Sequence, residues 1–429
     1  MKKSFLCFGL VLMTLTGMVG CGSQNNDSSR GTTVAMSTSA NGVSVTTGGD
    51  SSVNKTSNTN KVTDTTSDGT NKITTTEIQW LPTSTTAHTT KATTTTAAFH
   101  SISLNDSRIA YLSRTEASKQ FTLLDWSGSG FELAVRGGTV KANLSGPDAS
   151  LDAAVWMAVY VDGQRVRKFP LKNGENEWYT LAENLPVDKV TAIRVVKLSE
   201  ASWGKAVFQG LLVSGALESP ALPERRIVWI GDSITCGFGV LGKKATDPFS
   251  TKTQDVTLTY GWILSEALNA QRHIVSVSGY GVATANTGST TDALIPKIYP
   301  YTQFGGNGRW NYDNYQPDLV MVNLGTNDVF GGSSAETLCN GVRSFLTQLR
   351  AAHPNATIVW VYGFMLNNHQ SAIKAEVEAF AKNDSKVHFL PAAIAKGNAE
   401  LGSGGHPSDD AHARLAKTLL PQVKEIMGW

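Results

Sequence analysis

A chain of 429 residues is long enough for two separate cores, and 37 Lys and Arg against 35 Asp and Glu leave it close to neutral, at +2. Only 17% of residues are charged, and nothing in that balance points to nucleic acid, another phosphate-bearing ligand or a strongly acidic partner. The 41% of hydrophobic residues is ordinary for a globular protein but is unevenly spread along the chain.

Residues 1–21, MKKSFLCFGLVLMTLTGMVGC, set Lys2 and Lys3 before an apolar run from Phe5 to Val19, then Gly20 and Cys21. This is the pattern of a secretory signal: a charged start, a short apolar stretch and a small residue before the cut. The run is short for a bilayer span. Met-Val-Gly-Cys resembles the lipobox of bacterial lipoproteins, with Met18 where that pattern prefers Leu, and implies a lipid anchor at Cys21. The expected location is extracellular, on the cell surface and attached to the membrane only through that lipid, or secreted if the lipobox is not used. Residues 22–98 are rich in Ser, Thr, Asn and Gly. They bury too little apolar surface to offset the entropy of ordering, which predicts a flexible tether.

Residues 99–218 alternate with period two. FELAV places Phe131, Leu133 and Val135 on one face, and the following run does the same with Val155, Met157, Val159 and Val161 before an Asp162-Gly163 hairpin turn. TAIRVVKL and AVFQGLLVSG add further strands, so the segment reads as an all-β sandwich.

From 219 to 429 the rhythm changes. Strands are expected at 226–230, 273–278 and 318–324, at ATIVWVYG and at KVHFL. Helices are expected at 258–270, at AETLCNGVRSFLTQLRAA, at SAIKAEVEAFAKN and at the C-terminus, where Leu415, Leu419, Val423 and Ile426 form one stripe. Alternating apolar strands and helices predict a three-layer α/β sandwich around a five-stranded parallel sheet.

Four short blocks in this second part fall at strand ends or in the matching loop. GDSITCG (231–237) follows the first strand and presents Ser233. VSGYG (277–281) follows the second and offers the Gly279 N–H, with Gly281 as a second candidate. NLGTND (323–328) follows the third and presents the neutral amide of Asn327, and HPS puts His406 before the last helix. A nucleophile, a base and neutral donors for a developing oxyanion, gathered on the carboxyl edge of a parallel sheet, are the parts that acyl transfer requires.

The combination resembles the SGNH (GDSL-type) hydrolases, named for Ser, Gly, Asn and His in these blocks. That resemblance implies Ser233 as nucleophile, His406 as general base, and Ser233 N–H, Gly279 N–H and Asn327 as the oxyanion hole. A sandwich ending in FQGLLVSGAL, followed by RRIVWIGDSITCGFG and RWNYDNYQPDLVMVNLGTND, also resembles carbohydrate esterase family 2 over roughly 99–429. It implies a jelly-roll domain (99–218) before an SGNH catalytic domain (219–429). It further implies a serine esterase that removes O-acetyl groups from plant polysaccharides such as xylan and mannan or glucomannan, the acetylated polysaccharide or oligosaccharide being the partner. Alternatives are a lipid or peptidoglycan O-acyl esterase of the same fold, or a carbohydrate-binding protein with weakened catalysis.

In most SGNH enzymes an Asp lies three residues before the histidine, where this chain has Ser403. Asp409 and Asp410 follow the histidine and are expected to open the last helix, where acidic residues suit its dipole. The expectation is therefore a Ser233–His406 dyad, with the ring's other nitrogen held by a backbone carbonyl or by the Ser403 hydroxyl. Between Ile298 and Tyr315 a glycine-rich loop carries six aromatic residues. Trp310, and Tyr280 beside Gly279, are candidates for stacking on sugar rings, against the reading of a covering loop that fills the gap between the two parts. No Cys/His or HExxH cluster has metal-site spacing, so neither metal nor cofactor is expected. Cys236 and Cys339 are expected as buried free thiols.

Overall fold

The computed structural model describes residues 98–429 except 175 and 176; the signal segment, Cys21 and nearly all of the expected tether lie outside the described residues. Two antiparallel sheets come first. One runs in the order Glu116–Ala117, Thr122–Leu124, Ala206–Val213, Gly138–Ser145, Trp178–Leu185, with His100–Ile102 also on Ala206–Val213. The other runs Ala216–Glu218, Gly130–Arg136, Thr191–Lys197, Trp156–Val161, Gln164–Pro170, with Ala110–Leu112 also on Gly130–Arg136. The expected alternation is visible in their shared core, where Phe131, Leu133, Val135, Met157 and Val159 are buried between the sheets. Asp162 and Gly163 take φ of 47° and 78°, the double left-handed geometry that closes a two-residue hairpin, with Val161 opposite Gln164.

Five parallel strands follow, in the order Ala270–Ser276, Arg225–Gly231, Leu319–Asn323, Thr357–Tyr362, Val387–Pro391. Helix Ala335–Ala352 begins at a Ser334 cap whose hydroxyl accepts the Thr337 N–H at 3.1 Å, and it buries Leu338, Val342, Phe345, Leu346 and Leu349 against one face of the sheet. The opposite face is covered by Tyr260–Ala267 and by Asp409–Met427, which buries Leu415, Leu419 and Val423 and leaves Ile426 half-buried. Helix 258–270 is shorter than its pattern suggests. Asn269 adopts φ of 49°, which turns the chain so that the next strand starts at Ala270 rather than 273.

The sandwich is packed directly against the α/β part. Trp156, Ala158, Val196 and Leu198 belong to the same core as Trp229, Tyr260 and Leu415, while Trp126 and Ala201 join the core on the other face of the parallel sheet.

Candidate active site

The first parallel strand lies between the second and the third, with Gly231 level with Ser276 on one side and Asn323 on the other. The connection leaving the first strand therefore runs to one side, to Ala270–Ser276, and the one leaving the neighbouring third strand runs to the other, to Thr357–Tyr362, so a crevice opens between their carboxyl ends. Ser233, Ser278, Gly279 and Asn327 are placed around that crevice by three adjacent strand ends. They line one cavity of about 190 Å³ with Phe238, Asn286, Thr326, Phe330, Met365 and His406. A second cleft of similar size lies by the amino-terminal end of the Ala270–Ser276 strand. Its charged lining residues Arg194, Glu132, Glu266 and Arg272 are all ion-paired, and it presents no serine or cysteine.

Ser233 is the first residue of a one-turn helix, Ser233–Cys236, and Asp232 caps it by accepting the Ile234 N–H at 3.0 Å. The Ser233 Oγ lies 2.8 Å from His406 Nε2. His406 sits on a turn stapled to the loop that follows the serine: Ser403 N–H donates to Gly239 O, Gly404 N–H to Asp247 O and Asp409 N–H to Val240 O. Its ring packs on Phe238 at 4.4 Å, and Phe238 in turn stacks on Phe249.

The other ring nitrogen, Nδ1, faces the Gly404 carbonyl at 3.2 Å. A carbonyl only accepts, so Nδ1 must carry the hydrogen, and Nε2 is left bare to accept from the serine. Gly404 takes φ of 64°, a left-handed conformation that a side chain would strain. The ring is partly exposed, yet desolvation holds its pKa down at about 4, with the Gly404 carbonyl opposing part of that shift. The ring is neutral at pH 7 and available as a base. Among the described residues the buried Ser403 hydroxyl has no hydrogen-bond partner, and Asp409 and Asp410 occupy the first turn of the last helix behind its Ser408 cap. Of the two anchors expected for the ring, the backbone carbonyl is the one observed.

Gly279, at φ of 82°, lies against the Asn286 side chain, and its N–H donates to no protein acceptor among the described residues; the same holds for Ser233 N–H. Gly281 N–H is instead spent on Ala293 O at 3.2 Å and Gly281 does not line the cavity, which removes it as the second candidate. Asn327 lies in the one-turn helix Thr326–Phe330, and its amide donates to Tyr280 O at 2.9 Å and to Asp232 Oδ2 at 3.2 Å. Next to it, Asp328 accepts the N–H groups of Val282, Ala283 and Thr284, tying the 282–284 turn to the Asn327 helix.

The structure does not bring Trp310 to the cavity. Its ring meets His273 edge-on at 5.9 Å and lies beneath the Arg114 guanidinium at 5.7 Å. The aromatic loop covers the junction between the two parts, where Arg114 reaches the Tyr299 and Tyr301 carbonyls and Trp126 Nε1–H donates to Thr302 O at 2.8 Å. Tyr280 reaches the site through its main-chain carbonyl, while its ring packs edge-on against Phe304. The apolar wall facing the solvent is Phe330, 56% exposed, which the sequence reading passed over.

Asp232 was also missed, although the Gly-Asp-Ser block displayed it. It is fully buried, and burial pushes its carboxyl up to about 7 against the Ile234 N–H, with the Asp328 and Glu200 charges adding to the rise. Glu200, from the sandwich, accepts the Ser278 N–H at 2.7 Å and had no signal in its sequence neighbourhood. Cys236 is a buried free thiol as expected, whereas Cys339 is unpaired but only half-buried.

Residues 111–223 match the carbohydrate esterase 2 N-terminal family and residues 229–414 the GDSL-like lipase/acylhydrolase family. An acetylxylan esterase / glucomannan deacetylase of Cellvibrio japonicus is 29% identical over 339 residues, 77% of this chain and 92% of that protein. The cellulase/esterase CelE of Acetivibrio thermocellus is 30% identical over 313 residues, 71% of this chain and 38% of that longer protein. Among solved structures, a family two carbohydrate esterase from Clostridium thermocellum in complex with cellohexaose superposes with a TM-score of 0.70 at 28% identity, covering 75% of this chain and 99% of the other. With both family matches in chain order and one fold across both parts, this chain belongs to carbohydrate esterase family 2, within the GDSL/SGNH hydrolases, and is a carboxylic ester hydrolase.

Proposed function

We propose that the protein removes O-acetyl groups from plant cell-wall polysaccharide, of the xylan and mannan or glucomannan class, through an acetyl-enzyme formed on a Ser233–His406 dyad. The observation that carries this reading is the 2.8 Å contact from Ser233 Oγ to His406 Nε2, with the tautomer set by the Gly404 carbonyl. Ser233 Oγ attacks the acetyl carbonyl carbon while its proton passes to Nε2. The negative charge that develops on the carbonyl oxygen is met by Ser233 N–H, Gly279 N–H and the Asn327 amide. His406 then gives the proton to the departing sugar oxygen as the ester C–O bond breaks. Water, deprotonated by the same nitrogen, attacks the acetyl-enzyme, and acetate leaves as Ser233 recovers its proton.

Asn327 must turn one N–H from a resting partner toward the oxyanion, and the longer bond, to Asp232, is the one the geometry gives up more readily. A cavity of about 190 Å³ is small beside ligand pockets of roughly 300–1,000 Å³. It suits an acetyl group with its sugar outside the mouth better than a long acyl chain. Phe330, exposed at that mouth, replaces Trp310 and Tyr280 as the side chain we assign to stack on the sugar. The relatives named for acetylxylan and glucomannan support the substrate class.

The test is acetate release from acetylated xylan and glucomannan by the wild type and by Ser233→Ala, with butyrate and octanoate esters alongside. Activity surviving in Ser233→Ala, or a preference for the longer acyl groups, overturns the reading. We also propose the four-part organisation 1–21, 22–98, 99–218 and 219–429, with Cys21 as lipid anchor. Cys21→Ala is then expected to move from the membrane fraction to the soluble fraction with unchanged activity.

A further inference from the structure

The sandwich sends one segment beneath the active site. After the Thr191–Lys197 strand the chain turns at Ser199 into a short 3-10 turn, Ala201–Trp203, with Glu200 directly before it and its side chain free of any capping bond to the turn. Glu200 is 1% exposed and belongs to no part of the acyl-transfer reading. Its Oε2 accepts the main-chain N–H of Ser278 at 2.7 Å and lies 3.4 Å from Cys236 Sγ. Ser278 directly precedes Gly279, and Cys236 closes the one-turn helix that Ser233 opens. One carboxylate oxygen therefore braces both backbone elements whose N–H groups are left without protein acceptors at the cavity.

The brace is itself fixed from behind. Glu200 N–H donates to Gln254 Oε1 at 3.2 Å, and Gln254 Nε2 donates to Cys236 O at 3.4 Å. The buried Lys197 ammonium donates to Ser199 O at 2.7 Å and to Glu200 O at 3.0 Å. Three residues on, Trp203 packs on Phe249 at 5.5 Å, and Phe249 stacks on Phe238, the residue under the His406 ring. A buried carboxylate is costly to leave in a protein interior; here its oxygen has two partners, Ser278 N–H and Cys236 Sγ, while Gln254 and Lys197 hold the Glu200 main chain.

We infer that Glu200 is a positioning residue for the oxyanion hole, so that the sandwich domain is required to set the geometry of Ser233 N–H and Gly279 N–H. The inference rests on the acyl-transfer reading of Ser233. An oxyanion donor works only if it already points at the charge when the charge forms, and a misplacement of about 1 Å can cost up to about 10²-fold in rate. Removing the brace leaves substrate entry untouched, because Glu200 does not line the cavity. The loss should therefore fall on kcat and leave KM alone.

The experiment compares Glu200→Ala, Glu200→Asp and Glu200→Gln with the wild type on an acetyl ester. It also measures inhibition by an arylboronic acid, which forms a tetrahedral adduct on a serine oxygen. Glu200→Ala and Glu200→Asp, the latter one methylene too short to reach Ser278, are expected to lose about 10- to 100-fold in kcat with KM within about twofold, and to bind the boronate more weakly by a similar factor. Glu200→Gln keeps an oxygen that accepts the Ser278 N–H and should recover most of the rate. If Glu200→Ala does not fold, the Asp and Gln pair decides the matter on its own. Wild-type kcat in Glu200→Asp, a loss confined to KM, or boronate affinity unchanged while melting temperature falls would each overturn the inference. Ser233→Ala is run in parallel. Activity surviving there overturns the acyl-transfer reading and this inference with it, whereas an inactive Ser233→Ala beside a fully active Glu200→Asp overturns this inference alone.

Discussion

His406 Nδ1 lies 3.2 Å from the carbonyl oxygen of Gly404, two residues earlier in the same turn. A neutral acceptor fixes the tautomer of the imidazole as well as a carboxylate does. It gives less stabilisation to the imidazolium that forms when the serine proton arrives, and that difference organises the first expectations.

His406→Ala should lose about 10⁴-fold or more in kcat, the scale on which removal of a triad base acts. Ser403→Ala should leave kcat almost unchanged, because the Ser403 hydroxyl has no hydrogen-bond partner among the described residues and the ring's Nδ1 is held by Gly404 O. Asp409→Asn and Asp410→Asn should match the wild type. A loss near 10⁴-fold in either one, measured as kcat on an acetyl ester, would mean a carboxylate triad and end the dyad reading.

Asn327→Ala is expected to lower kcat by about 10²–10³, with KM little changed, as for removal of one oxyanion donor. Asp232→Asn probes the same amide from behind. With its oxygen kept on the Ile234 N–H, the new side chain would turn an NH₂ toward the Asn327 NH₂, two donors facing each other. A fall in kcat at constant KM is the expected result, and an unchanged kcat would show that the Asp232 contact does not orient Asn327.

The pH dependence has a definite sign. His406 is held at about 4 against an ordinary 6.5, so the acid limb of kcat/KM should lie nearer 4 than 6.5. Between those values the unfolded chain binds a proton that the folded chain refuses, and stability falls as pH drops through the window. His353, at about 4, and His412, at about 3 with its Nδ1 accepting the Tyr260 N–H, act in the same direction. Asp232, raised to about 7, acts oppositely: from 3.8 upward the folded state holds a proton that the unfolded chain releases, so this term weakens the fold as pH rises toward 7. Melting temperature measured from pH 4 to 8 should therefore fall more steeply on acidification in Asp232→Asn than in the wild type.

Phe330→Ala should raise KM for acetylated polysaccharide by about three- to tenfold, the worth of one aromatic contact, and leave a small acetyl ester unaffected. Trp310→Phe should leave both KM values where they are, since that ring packs on His273 and Arg114 away from the cavity. Steady-state kinetics on both substrates distinguish the two residues.

The sequence by itself determined what short-range periodicity can determine. Alternation along FELAV buried Phe131, Leu133 and Val135, Asp162-Gly163 closed a hairpin, and the helix expected at AETLCNGVRSFLTQLRAA spans Ala335–Ala352. Four motif blocks at strand ends placed Ser233, Gly279, Asn327 and His406 around one cavity, because parallel strands deliver their carboxyl ends to a common edge. Packing alone decided who touches whom between those elements. Tertiary structure chose Gly404 over Ser403 for the His406 ring, Gly279 over Gly281 for a free N–H, and the interdomain junction over the cavity for Trp310. It also carried Glu200 to Ser278, 78 residues away in the chain. Hydrophobic period is a property of one segment and survives in any context. A hydrogen-bond partner is fixed only when two segments meet in a given register and orientation, and neither segment records that meeting in its own residues.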